Sequence, residues 1–170
     1  MTGVQTCALP IFPTYGRGLL NNLTGTPAYL SWVTKLVRPY LGDTVLEIGA
    51  GLGNWTGRLM SRKLQYVAGE GDPLYLHALR NRFLRTPNVQ VCEFDPNGTP
   101  DYFQWRNRFD TALCLNVLET VADPKAVVTQ LGSCVKPGGN MVILAPQSKG
   151  LMGSLDHAMG HKQRFTEEEL

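Results

Sequence analysis

Three glycines spaced by two, Gly49, Gly51 and Gly53, follow a carboxylate in the stretch 44–54, T-V-L-E-I-G-A-G-L-G-N. Residues 45–48 are largely apolar and β-prone, without polar alternation, and they predict a buried parallel strand that ends in a tight loop. Such a loop lets a ligand approach bare backbone. A helix should follow, with Asn54 as its N-cap and Trp55, Leu59 and Met60 on one face, completing a βα turn of the nucleotide-binding kind. Glu70 lies 17 residues beyond Gly53, after a second apolar run at 65–69. An acid at that place in a βαβ unit accepts hydrogen bonds from ribose hydroxyls, each charge-assisted and worth about 1.5–3 kcal/mol. A dinucleotide fingerprint needs glycine at the first, third and sixth positions, and the sixth position here is Asn54. The spacing therefore weakens the pyrophosphate reading.

An acid followed by G-x-G-x-G resembles the first motif of the class I S-adenosylmethionine-dependent methyltransferases, and Glu47, Gly49, Gly51 and Gly53 match it. N-V-L-E at 116–119 resembles that family's post-strand segment, commonly N-V-L-E-H, although Thr120 replaces the histidine and removes one acid or base from the cleft. The K-P-G-G turn at 136–139 is a further likeness. The segment 153–166, with its G-S-L-D, G-H, R-F and T elements, resembles a bacterial branch that often accompanies glycosyltransferases. The resemblance covers about residues 19–170. It implies S-adenosylmethionine as cofactor, held by Glu47, Gly49, Ala50, Gly51, Gly53, Glu70, Gly71, Asp95 and Asn116. It also implies in-line transfer of the sulfonium methyl group to a small-molecule acceptor, with the thioether as leaving group. Asp95 either contacts the adenine amino group or, with Pro96, opens a turn. His161 is the candidate general base or substrate contact, against a loop histidine that packs or caps locally. Glu119 is either a catalyst or a local hydrogen-bonding group.

The elements that must position these residues alternate in type. Helical spacing runs over 27–39 behind a Thr26 cap and a first-turn Pro27, and this helix either lies over the cofactor pocket or covers a sheet edge. A second helix, 74–84, begins at Asp72-Pro73; Asp72 either caps it or rivals Glu70. Its Arg80, Arg82 and Arg85 read as a solvated face. Strands are expected at 89–94, 111–115 and 140–146, with a helix starting at Asp123-Pro124 between the last two. Strands alternating with helices make an α/β fold, a Rossmann-like three-layer α/β/α sandwich with a mainly parallel sheet, and right-handed crossovers bring the site loops to one edge.

At 170 residues, with 43% hydrophobic and 18% charged residues, the chain can bury one core and is read as a single domain. A net charge of +2 without basic blocks gives no electrostatic reason for a nucleic-acid or membrane partner. Nor does the fourth strand lead into an N-P-P-Y segment, which in related enzymes marks planar amino-group acceptors in nucleic acids. Cysteines 7, 92, 114 and 134 lack C-x-x-C spacing, and no metal-ligand pattern is present. These features point to a reducing, cytoplasmic setting. Residues 1–11, M-T-G-V-Q-T-C-A-L-P-I, are expected to be a non-native leader of translated sequencing adapter or else a frayed terminus. Residues 12–40 form an N-terminal loop and cap helix, and 41–170 the methyltransferase domain. The resembling fold continues with further helices and two strands, so the chain is expected to be a C-terminally truncated fragment with an unpaired sheet edge. Two rival readings remain: a cofactor-binding but catalytically incomplete module, and a nicotinamide-dependent oxidoreductase.

Overall fold

The computed structural model describes residues 26–96 and 102–170. The expected leader at 1–11 and most of the N-terminal loop lie outside the described residues. The first helix among the described residues, α1 (Pro27–Val37), starts on proline at its first turn and runs into a 3-10 turn, Arg38–Tyr40. Then follow β1 (Thr44–Ile48), α2 (Thr56–Leu59), β2 (Gln65–Glu70), α3 (Pro73–Phe83), β3 (Val89–Glu93), β4 (Phe109–Leu115), α4 (Pro124–Cys134), β5 (Val135–Leu144) and α5 (Ser154–Met159).

Among the described residues, five strands form one parallel sheet in the order β3-β2-β1-β4-β5. The order reverses between β2 and β4 on either side of β1, and a doubly wound sheet opens its ligand crevice at such a switch point, beyond the carboxyl ends of the strands. Two apolar clusters make the layers. On one face Val45, Tyr66, Ala68 and Leu113 pack with Leu30 and Val33 of α1, Leu59 of α2, and Leu79 and Phe83 of α3. On the other face Leu46, Ile48, Val67 and Cys114 pack with Val127, Leu131 and Cys134 of α4. The α/β sandwich expected from the alternation of elements is the fold observed.

Local departures from expectation have plain causes. Asn54 is not an N-cap: the chain turns once more through residues 51–55, and the helix is a single turn that begins at Thr56. The hydroxyl of Thr56 serves another purpose, described below. Ladder pairing in β5 begins at Val135 opposite Phe109 and resumes at Asn140 opposite Thr111, so the K-P-G-G segment is a bulge inside the strand, with Gly138 at φ +80°. Asp72 caps α3, accepting N–H bonds from Leu74 at 2.8 Å and Tyr75 at 3.4 Å.

Candidate cofactor-binding site

The loop after β1 is held by backbone bonds and by one carboxylate. Ala50 N–H donates to the Gly69 carbonyl at 2.9 Å, and Gly53 N–H to the Ala50 carbonyl at 2.8 Å. Glu70, at the end of β2 and 8% exposed, accepts the Gly51 N–H at 2.6 Å through Oε2 and the Asp72 N–H at 2.7 Å through Oε1. Each oxygen keeps a lone pair for a further donor. Burial pushes the Glu70 carboxyl upward, against the pull of those backbone amides.

Two glycines show why the loop needs them. Gly49 has φ +67°, and a Cβ there would sit 2.4 Å from Val117 Cγ2. Gly51 has φ +56°, and a Cβ there would meet nothing within 4 Å. One position is closed against the β4 loop and the other opens onto space.

Glu47 is 1% exposed, and its Oε2 accepts from Thr56 Oγ1 at 2.6 Å and Tyr66 Oη at 2.9 Å. Its Oε1 is buried without a hydrogen-bond partner. Burial raises the Glu47 carboxyl to about 7, the two hydroxyls pulling the other way and Glu70 adding to the rise. Glu47 stands in register with Ala68 of β2, two residues before Glu70, so both acids project to the same face of the sheet.

The remaining expected residues join this cluster in sequence. A Cβ on Gly71 would lie 2.9 Å from the Phe94 carbonyl oxygen and 3.2 Å from Asp95 Cα, which brings the exposed Asp95 beside the end of β2. Asn116, at φ +58°, donates its N–H to the Leu144 carbonyl at 2.8 Å and precedes the valine that touches Gly49. Thus Glu47, Gly49, Ala50, Gly51, Gly53, Glu70, Gly71, Asp95 and Asn116 share one end of the sheet.

His161 lies at the far end of the 116–119 segment. Its Nδ1 is 2.9 Å from Asp156 Oδ1, its Nε2 is 3.9 Å from Glu119 Oε1, and its side chain is 10% exposed. Asp156 also accepts from Arg164 Nε at 2.9 Å, and this pair with His161 holds the Asp156 carboxyl far below the usual carboxylate range. Glu119 is buried, accepts the Lys162 N–H on its carbonyl at 2.7 Å, and has Oε2 without a partner. Burial pushes its carboxyl up while His161 draws it down.

Thr56, Tyr66, Arg82, Asp156 and Arg164 are contributors that the sequence does not announce. Arg82, expected on a solvated face, donates from Nη1 to the Leu52 carbonyl at 2.6 Å and to Asn54 Oδ1 at 3.5 Å. A cavity of about 840 Å3 lies apart from the glycine loop, between α4, β5 and the segment 149–170. It shares only Leu118 with the 116–119 segment, so its size does not make it the cofactor site. Among the described residues no helix is long and apolar enough to cross a membrane, and no group of three His, Cys, Asp or Glu is placed to hold a metal.

Comparison with known proteins follows the same residues. A protein-family profile described as a methyltransferase domain matches residues 25–170. A ubiquinone biosynthesis O-methyltransferase from Aeromonas salmonicida is 30% identical over 123 residues, covering 69% of this chain and 49% of that protein. A ribosomal RNA small subunit methyltransferase A from Anaeromyxobacter is 42% identical over 91 residues, covering 54% of this chain and 31% of that protein. The chain spans about half the length, or less, of the curated relatives it matches. Among solved structures, the [4+2]-cyclase SpnF superposes with a TM-score of 0.67 at 18% identity, over 81% of this chain and 52% of that one.

Proposed function

The chain belongs to the methyltransferase-domain family, and from that premise we propose that it binds S-adenosylmethionine and moves the methyl group to a small-molecule acceptor by in-line displacement. The observation that carries this reading is the Gly51–Glu70 contact: a carboxylate with spare lone pairs grips an N–H whose Cα faces open space. An adenosyl ribose suits Glu70, which has one oxygen for each hydroxyl. The ammonium group of the cofactor's amino acid end suits Glu47, whose Oε1 is buried and unpartnered and whose neighbours supply no positive charge among the described residues. The backbone at 49–53 and at Gly71 forms the cradle, Asp95 stands where it can accept from the adenine amino group, and Asn116 closes the β4 side.

A bound sulfonium supplies a methyl group already activated for displacement, so the chain's own task is to hold, orient and deprotonate. His161 is our candidate to contact the acceptor or take its proton, with Asp156 fixing the ring through Nδ1. Residues 41–170 are assigned as the catalytic domain and 12–40 as its cap. Leu30, Val33 and Val37 of α1 are buried in one cluster with Val45 and Tyr66, so this cap packs as part of the domain's core.

A small-molecule acceptor is favoured because the O-methyltransferase relative aligns over 69% of the chain and the ribosomal RNA relative over 54%. The N-V-L-E segment in place of N-P-P-Y supports the same choice. Free cysteines at 92, 114 and 134 support a reducing, cytoplasmic setting.

Calorimetric titration tests the reading. S-adenosylmethionine should bind and NAD should not, and Glu70→Ala should weaken binding by about 1.5–3 kcal/mol. Micromolar NAD affinity with none for S-adenosylmethionine would overturn it, as would an unchanged dissociation constant in a folded Glu70→Ala protein. Binding without turnover on any acceptor would mark a catalytically incomplete module.

A further inference from the structure

Arg38, Arg58, Arg62 and Lys63 line a cavity of about 390 Å3, together with Ser61 and two leucines. These residues belong to the 3-10 turn after α1, to α2, and to the loop between α2 and β2. They stand near the amino ends of β1 and β2, the edge opposite the glycine loop. The chain carries a net charge of only +2, with 14 acidic residues, yet no acid lines this concavity.

The simplest account is that the cations neutralise backbone carbonyls at the end of α2. One contact fits it, Arg38 Nη2 donating to the Arg58 carbonyl at 3.2 Å, whereas Lys63 Nζ donates at 3.2 Å to the Leu41 carbonyl, outside α2. They leave most of the donors unused, because each guanidinium carries five N–H groups and each ammonium three. Among the described residues none of the four makes an ion pair. Four like charges gathered in a concavity repel one another at a cost that a multiply charged anion removes. Guanidinium forks match the paired oxygens of a phosphoryl group, and the volume falls within the range of about 300–1,000 Å3 typical of small-ligand sites.

We propose that this cavity is a second ligand site, separate from the glycine loop, and that it takes a phosphoryl anion. Arg58 and Arg62 supply the forks, Lys63 the point charge and Ser61 a hydroxyl donor. The site is independent of the methyl-transfer reading.

The test follows backbone amide resonances of the full chain during titration with pyrophosphate, and separately with glycerol 3-phosphate, at ionic strength held constant with chloride. Saturable shifts centred on residues 58–63 are expected. They should come with at least a tenfold rise in Kd for Arg58→Ala/Arg62→Ala, and a similar rise for Arg62→Glu alone, whose exposed side chain can be exchanged without disturbing the core. Saturation by both compounds would place an esterified phosphate among the ligands, and saturation by pyrophosphate alone would restrict it to the free anion. Shifts that never saturate, saturable shifts centred on 49–53, or a Kd unchanged in both variants would overturn the proposal.

Discussion

Buried carboxylates occur in two regions of this molecule, and they are compensated in opposite ways. Under the glycine loop, Glu47 and Glu70 are met by hydroxyls and backbone amides, and among the described residues neither meets a cation. Within α5, Asp156 is met by Arg164 and His161 at 2.9 Å each, whereas neighbouring Glu119, 3.9 Å from the same imidazole, keeps an unpartnered Oε2 and is raised by burial like the first pair. Desolvation dominates the first region and raises both carboxyls, Glu47 to about 7. Hydrogen bonds from Arg164 and then His161 dominate at Asp156 and lower its carboxyl. A pair of acids left without a counter-charge is poised to receive a positive ligand. An acid already paired is poised to hold a fold together.

The sharpest way to break the comparison is to close the first region. Gly49→Ala places a Cβ 2.4 Å from Val117 Cγ2 at φ +67° and should cost about 3–5 kcal/mol. Denaturant melts would register this, and a wild-type midpoint would show that the loop is not tied to the β4 segment.

Next in size is a pH effect. The Glu47 carboxyl is raised in the folded state, so the native chain holds a proton that the unfolded chain releases. Its contribution is fully present below the ordinary glutamate value of about 4.5 and is lost as pH rises to about 7, a fall on the order of 3 kcal/mol. Glu47→Gln should flatten that decline in melts taken across the window. In the same window S-adenosylmethionine affinity should rise with pH, because a cationic ligand favours the ionised acid. Affinity that falls from pH 5 to 7 would remove Glu47 from the proposed site.

Smaller again is Gly51→Ala. Its Cβ meets nothing within 4 Å, so the left-handed backbone alone should cost about 1 kcal/mol of stability. Cofactor binding should fall further than stability does, as measured by calorimetry against melts. Equal losses would mean that the open face is not where the ligand lies.

Asp156→Asn carries the second region's test. A depressed carboxyl contributes stability above its ordinary value of about 4 that is lost as pH falls below it. The variant should therefore lose stability at neutral pH, show less acid dependence, and leave the Kd for S-adenosylmethionine unchanged.

The same contrast explains what the sequence makes legible. A left-handed turn restricts residue type so strongly that Gly49, Gly51 and Gly53 announce the loop, and Asp72-Pro73 announces a helix start, because each feature is written locally. The five strands follow from apolar runs between turn residues. Contacts between distant side chains have no such signature. Thr56 and Tyr66 lie 9 and 19 residues from the carboxylate they share, and Asp156 meets its partners 5 and 8 residues on, past the left-handed Gly160 that ends α5. Asn54 has the chemistry of a cap, yet the extra turn before α2 assigns it elsewhere. The bulge in β5 looks like a plain turn in sequence because two glycines serve either geometry.

Arg82 fastens the rim of the glycine loop to α3 through the Leu52 carbonyl and Asn54. Both acceptors are uncharged and in direct contact, so electrolyte has no ion pair here to screen. The clasp lies on the exposed side of α3, outside the core, so trimming that one side chain should slacken the loop's outer lip while leaving the strands beneath intact.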